Sequence, residues 1–174
     1  MKKLFNQLIF WEINKPGRKS LLLNLALFIS LVLAMNSFIF GLGWDKISDA
    51  GSLRKPYISP SGEVIGSVWV ILIALMSIGR WTMNKYSKDR ATRPRKAITI
   101  LIVSCIFYPL YSIAIGGLTG LLGGLTGNII IILNSIIVLW LVKPISKPAF
   151  YLNIPVLIWV IFATTIIISE LGWI

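Results

Sequence analysis

The sequence predicts an all-α fold, an integral membrane bundle of five transmembrane helices built as a single domain. Hydrophobic residues make up 56% of the 174 and charged residues only 13%, for a mean hydropathy of +0.84. A soluble domain of this size has too little interior to bury so much apolar surface, whereas lipid covers it. The apolar residues also gather into five runs, each near the ~20 residues that cross a bilayer as a helix. Helices follow rather than a barrel. Backbone groups in lipid must be satisfied internally, and the runs lack the in-out alternation of a membrane barrel.

The first run, 21–43, follows a short basic segment, 1–20. It is too long for the apolar region of a signal peptide and no small-residue cleavage site follows, so it reads as a retained span. Residues 4–12 ahead of it have the pattern of an interfacial amphipathic anchor, ended by Pro16-Gly17. The remaining runs are 64–84, 97–115, 118–142 and 149–169, with Pro109 interrupting the third and Pro155 the last. A proline inside a helix frees a carbonyl one turn earlier and bends the rod, and bends open cavities. Gly-Gly-Leu-Thr-Gly occurs at 116–120 and again at 123–127. Glycines four apart let helix backbones approach closely, so the repeat predicts tight internal packing and a compact turn, with a hinge or a homodimer contact as the alternatives.

The formal net charge is +11, and the basic residues lie between the runs. Lys2, Lys3, Lys15, Arg18 and Lys19 precede the first; Arg80, Lys85, Lys88, Arg90, Arg93, Arg95 and Lys96 separate the second from the third; Lys143 and Lys147 separate the last two. By contrast, Lys46, Arg54 and Lys55 are balanced by Asp45, Asp49 and Glu63. The positive-inside rule then places the N-terminus in the cytoplasm and the C-terminus outside it, in a plasma or inner membrane. Charge distributed this way marks topology and contact with membrane lipids, not a nucleic-acid partner.

There is no histidine and a single cysteine, Cys105. Ser-His catalysis, His-ligated zinc or haem, an internal disulfide and a Cys-x-x-Cys site are thereby excluded. No catalytic residue, metal ligand or required cofactor is assigned. No ionisable residue lies near the centre of a run, which counts against a proton pump or an ion-coupled carrier. The informative residues are aromatic. Trp11, Trp44, Trp81, Trp140 and Trp173 fall at run ends, as a headgroup belt does. Trp69 and Trp159 lie inside runs, where the indole N–H needs a protein or ligand partner. Tyr108 and Tyr111 flank the expected bend at Pro109, and Ser104 and Thr164 add polar groups, which together predict a mid-membrane pocket for a hydrophobic small molecule. Asn24, Asn36, Asn128 and Asn134 read as interhelical hydrogen-bonding residues.

Three stretches resemble the tryptophan-rich sensory protein family, also called TspO or translocator protein. Between Leu53 and Met76 the family's Leu-x-Lys-Pro, Pro-Pro and Phe-Gly-x-x-Trp pattern is matched at Leu53, Lys55, Pro56, Pro60, Gly66, Trp69, Ala74, Leu75 and Met76. In the last run Pro155, Trp159, Phe162 and Ala163 fit Pro-Tyr-x-x-Trp-x-x-Phe-Ala, and Phe107 to Tyr111 is similar to Trp-x-Pro-Leu-Phe. The chain departs from the pattern at Ser61, Ile65, Asp49-Ala50, Ser104 and Ile167, and has Glu63 close to where the family has an aromatic. The resemblance implies a five-helix receptor or sensor that binds a porphyrin or related haem-like tetrapyrrole under the first extramembrane loop. Trp69 and Trp159 would stack on the macrocycle, Tyr108, Tyr111, Phe162 and Ala163 would line the pocket, and Lys55 and Pro60 would cover it, with Lys55 pairing a propionate. Porphyrin breakdown enters through the resemblance alone. From the residues, a small transport or channel-like subunit for a lipophilic solute, or a membrane assembly factor, is the alternative.

Overall fold

The structure is a computed structural model that describes residues 12–44, 59–116 and 120–173. Its helices are α1 (Arg18–Gly41), α2 (Gly62–Thr82), α3 (Lys88–Ile106), α4 (Tyr108–Gly116), α5 (Leu121–Val142) and α6 (Lys147–Glu170), with a 3-10 turn at Met83–Lys85 after α2. No strand occurs among the described residues. Among the described residues, four helices are long and apolar enough to cross a membrane: α1, α2 extended through Lys85, α5 and α6. The candidate for a fifth span is α3 with α4, a pair that is long and apolar enough together and is bent by 60° at its junction. The chain is a multi-pass integral membrane protein.

Local chemistry explains the helix ends. Ser61 caps α2 by accepting from the Val64 N–H, with Glu63 in the first turn where a negative charge suits the helix dipole. Ser146 caps α6 by accepting from the Ala149 N–H at 3.3 Å. Pro148 follows in the first turn, where its missing N–H forfeits nothing. The third span breaks where the proline sequence expects it. Pro109 has no N–H for the preceding turn and its ring crowds the carbonyl four residues back, so α3 stops at Ile106 and α4 restarts around the Phe107 carbonyl. Pro155, in contrast, leaves α6 unbroken. The other difference is the start of this span. The Arg80–Lys96 stretch, read as a basic gap, is helical for most of its length, because α3 begins at Lys88 and carries Pro94 inside it.

In the bundle, α1 packs on α2, α2 packs between α6 and α3, and α5 packs on α6, α3 and α4. Fully buried Ile73 and Met76 of α2, Ile98 and Leu101 of α3, Ile131 and Val138 of α5 and Val156 and Val160 of α6 form the core. Leu22, Ile71, Ile100, Leu133 and Ile158 point outward, where lipid is their solvent. Close approach of α2 to α6 needs Gly79: a Cβ there would stand 2.5 Å from Asn153 Nδ2.

One end of the bundle is tied by polar groups. Arg80 is 6% exposed and the one charged side chain among the described residues to be buried. It donates to Asn24 Oδ1, to Asn14 Oδ1 at 2.9 Å and to Thr99 Oγ1 at 2.8 Å, and its guanidinium lies 5.8 Å from the Phe28 ring centroid. Asn84 Nδ2 donates to the Ile13 and Lys15 carbonyls, and Trp81 Nε1 donates to the Gly17 carbonyl. These bonds join residues 13–17 to α1, α2 and α3. Asn24 therefore serves between helices, as expected of it.

Candidate functional site

A cavity of about 300 Å³ opens among α1, α2, α4, α5 and α6 at the end of the bundle opposite Arg80. Each helix contributes through its own spacing. Asn36 and Phe40 lie four apart on α1; Gly62, Ile65, Gly66 and Trp69 follow the three-and-four rhythm of one face of α2. The bend at Phe107 turns α4 so that Tyr108, Ser112 and Ile113 reach the same space. Gly124 of α5 and Ile167 of α6 close it.

The glycine repeat makes this arrangement possible. A Cβ at Gly127 would meet Tyr108 Cε2 at 2.5 Å and Tyr111 Cε2 at 3.0 Å, and one at Gly124 would meet Ile167 Cδ1 at 3.1 Å. The missing side chains let both tyrosine rings lie on the α5 backbone, where the Tyr108 hydroxyl donates to the Gly124 carbonyl at 3.0 Å. The second copy of the repeat, 123–127, is thus used for packing within the chain, while residues 117–119 of the first copy, where a compact turn is expected, lie outside the described residues. Tyr108 and Tyr111 meet edge to face at 5.6 Å between centroids, and Trp69 stands 6.4 Å from Tyr108.

The expected site residues separate into groups. Trp69 and Tyr108 share the cavity wall. Tyr111 stacks behind Tyr108 without lining the cavity, and its hydroxyl has no hydrogen-bond partner among the described residues. Trp159 packs against the hydrophobic core and, 5.6 Å away, the Phe162 ring. Neither residue lines the cavity, nor does Ala163. Pro60 is a half-buried residue just before α2. Lys55 lies outside the described residues.

Several lining residues carried no signal of their own in the sequence. Asn36 was legible as polar, and its amide does donate across the α1–α2 interface to the Gly66 carbonyl at 3.2 Å. Its place on the cavity wall follows from the helix pairing. Trp44, which sequence position assigns to the belt, packs edge-on against Phe38 and lines the cavity mouth. Trp140 and Trp173 are exposed near helix ends, as a belt requires.

Among the described residues, no charged side chain lines the cavity. Its polar groups are the Asn36 amide, the Ser112 hydroxyl and the Tyr108 hydroxyl, set among aromatic and aliphatic surfaces. Such a space can stack a flat apolar body and orient it by a few hydrogen bonds. Among the described residues it offers no nucleophile–base pair and no His, Cys, Asp and Glu group able to hold a metal.

The sequence profile of the TspO/MBR family matches residues 28–170, which takes in every helix except the start of α1. An uncharacterized membrane protein of Bacillus subtilis (strain 168), YtaB, is 28% identical over 113 residues, covering 65% of this chain and 72% of that protein. No solved structure matches the chain.

Proposed function

Because the chain belongs to the TspO/MBR family, we propose that it is a receptor-type membrane protein that binds a hydrophobic small molecule, a porphyrin or related tetrapyrrole, in this cavity. The observation that carries the reading is the pairing of Trp69 and Tyr108 on one wall of a cavity whose described lining is aromatic, aliphatic and neutral polar. An indole and a phenol ring presented together favour a planar aromatic ligand, and stacking adds about 0.5–1.5 kcal/mol beyond area burial. Asn36 and Ser112 would fix its orientation. Lys55, in the segment that connects α1 to α2, is the proposed partner of a propionate. Trp159, which packs on the core and does not line the cavity, is given no contact with the ligand in this reading.

The N-terminus is cytoplasmic in this reading, because Arg80, Lys85 and the basic first turns of α3 share one end of the bundle and the positive-inside rule assigns that end to the cytoplasm. The cavity then faces the other side of the membrane.

The test is a titration with protoporphyrin in detergent, followed by ligand-dependent thermal stabilisation. Saturable binding is expected, and a ligand at 100 times its Kd raises stability by about 2.7 kcal/mol. Ser112→Phe, which fills the cavity from α4, should weaken binding at least tenfold while the apo protein melts within a few degrees of the wild type. Undiminished affinity in Ser112→Phe would remove the ligand from this cavity.

A further inference from the structure

We infer that the ligand reaches this cavity sideways from the bilayer, between α1 and α2 and past the Phe40 ring, and that Glu63 at this door favours neutral and cationic amphiphiles over anionic ones. The inference deepens the binding reading above and rests on it.

A second space of about 490 Å³ lies on the other side of the α1–α2 interface. Its wall on α1 is Leu33, Asn36 and Phe40, spaced three and four apart, and on α2 it includes Glu63, Ser67 and Val70. Asn36, Phe40 and Gly66 line both spaces, so the partition between groove and cavity is one side chain thick. Gly66 contributes no side chain to it. A Cβ there would lie 3.3 Å from both Asn36 Nδ2 and Phe40 Cε2, which shows that the phenyl ring and the amide close the seam against bare backbone.

Opening the seam is cheap in structural terms. Phe40 is 38% exposed and lies in the last turn of α1, and its ring makes no hydrogen bond that a rotamer change would break. The Asn36 amide gives up one hydrogen bond, to the Gly66 carbonyl, which an incoming ligand's acceptor or the lipid headgroup region can replace. Opening also supplies room. The cavity is at the low end of the range for drug-sized ligands, and a Phe40 ring turned out of the seam widens the passage into it while a ligand enters.

Glu63 sets the charge preference. It is exposed on the groove side, in the first turn of α2, and makes no ion pair among the described residues. At the edge of a low-dielectric phase its carboxylate acts over a longer range than it would in bulk water. A ligand sliding in along the groove passes this carboxylate before it reaches Trp69. An anionic headgroup is repelled there and an ammonium is attracted.

The experiment separates the door from the site. Protein in nanodiscs is mixed with vesicles loaded with one of three probes: protoporphyrin, its neutral dimethyl ester, or a porphyrin with cationic aminoalkyl amide arms. Tryptophan quenching then gives both association rate and equilibrium affinity. Glu63→Gln should speed association of protoporphyrin about three- to tenfold, slow the cationic probe by a similar factor and leave the ester unchanged, with the differences shrinking in high salt. Joining Leu33→Cys and Val70→Cys with a bis-maleimide, across the groove and outside the cavity, should slow all three probes at least tenfold without changing the ester's affinity. Unchanged rates after this crosslink would overturn lateral entry, and equal rate changes for all three probes in Glu63→Gln would overturn charge selection. Absence of saturable quenching by any probe in the wild type would overturn the binding reading, and the door with it.

Discussion

Arg80 shows what a single residue decides in this fold. A guanidinium is costly to bury, and here the cost is offset by three neutral oxygen acceptors from three segments, the Asn14, Asn24 and Thr99 side chains. Arg80→Leu would keep much of the volume but leave those acceptors without their donor. We expect a loss of about 2–3 kcal/mol, seen as a lower thermal midpoint in detergent. Arg80→Lys should recover only part of it, since one ammonium cannot span three separated acceptors as a planar fork does. An unchanged midpoint in Arg80→Leu would show that the network is not holding the end of the bundle. None of this is legible in sequence. Arg80 heads a run of basic residues and reads as the edge of a loop; its burial depends on Asn24, 56 positions away. Trp69, by contrast, could be singled out from the sequence, because an indole well inside an apolar run has few bland uses.

At the scale of the elements, the α4–α5 contact controls the shape of the cavity. Gly127→Ala should push Tyr108 and Tyr111 off α5, because the added Cβ would stand 2.5 Å from a Tyr108 ring carbon. Overpacking of this kind costs about 1–3 kcal/mol and should also weaken ligand binding, since Tyr108 lines the site. Gly41→Ala, at the end of α1 with nothing within 4 Å, is the control and should shift the midpoint little. Equal melting of the two variants would contradict the close approach. The repeat and Pro109 were both visible in the sequence, and each predicted its local effect. The start of α3 was not visible: the residues from Lys88 to Lys96 are too polar to read as span, yet they continue the helix because Ala91 and Pro94 are buried against the bundle. Pro155 failed to break α6, because the neighbouring helices hold Val156 and Val160 in the core.

For the whole molecule, the apolar runs were enough to give the helical bundle, since lipid leaves the backbone few choices. The candidate site was half legible. Trp69 and Tyr108 do meet, but Trp159 does not line the cavity with them, because which face of α6 turns inward is set by its packing on α2 and α5 and not by its own even hydrophobicity. The central claim, that a planar ligand stacks on Trp69 in the α1–α2–α4–α5–α6 cavity, is tested most directly by comparing Trp69→Phe with Trp159→Phe. Tryptophans far from a porphyrin are also quenched by energy transfer, so the dissociation constant is the quantity to compare, not the quenching amplitude. Trp69→Phe should weaken protoporphyrin binding roughly two- to tenfold, the loss of one stacking partner, while Trp159→Phe stays within twofold of the wild type. Weakened binding in Trp159→Phe together with wild-type affinity in Trp69→Phe would contradict the account and move the ligand to the other indole.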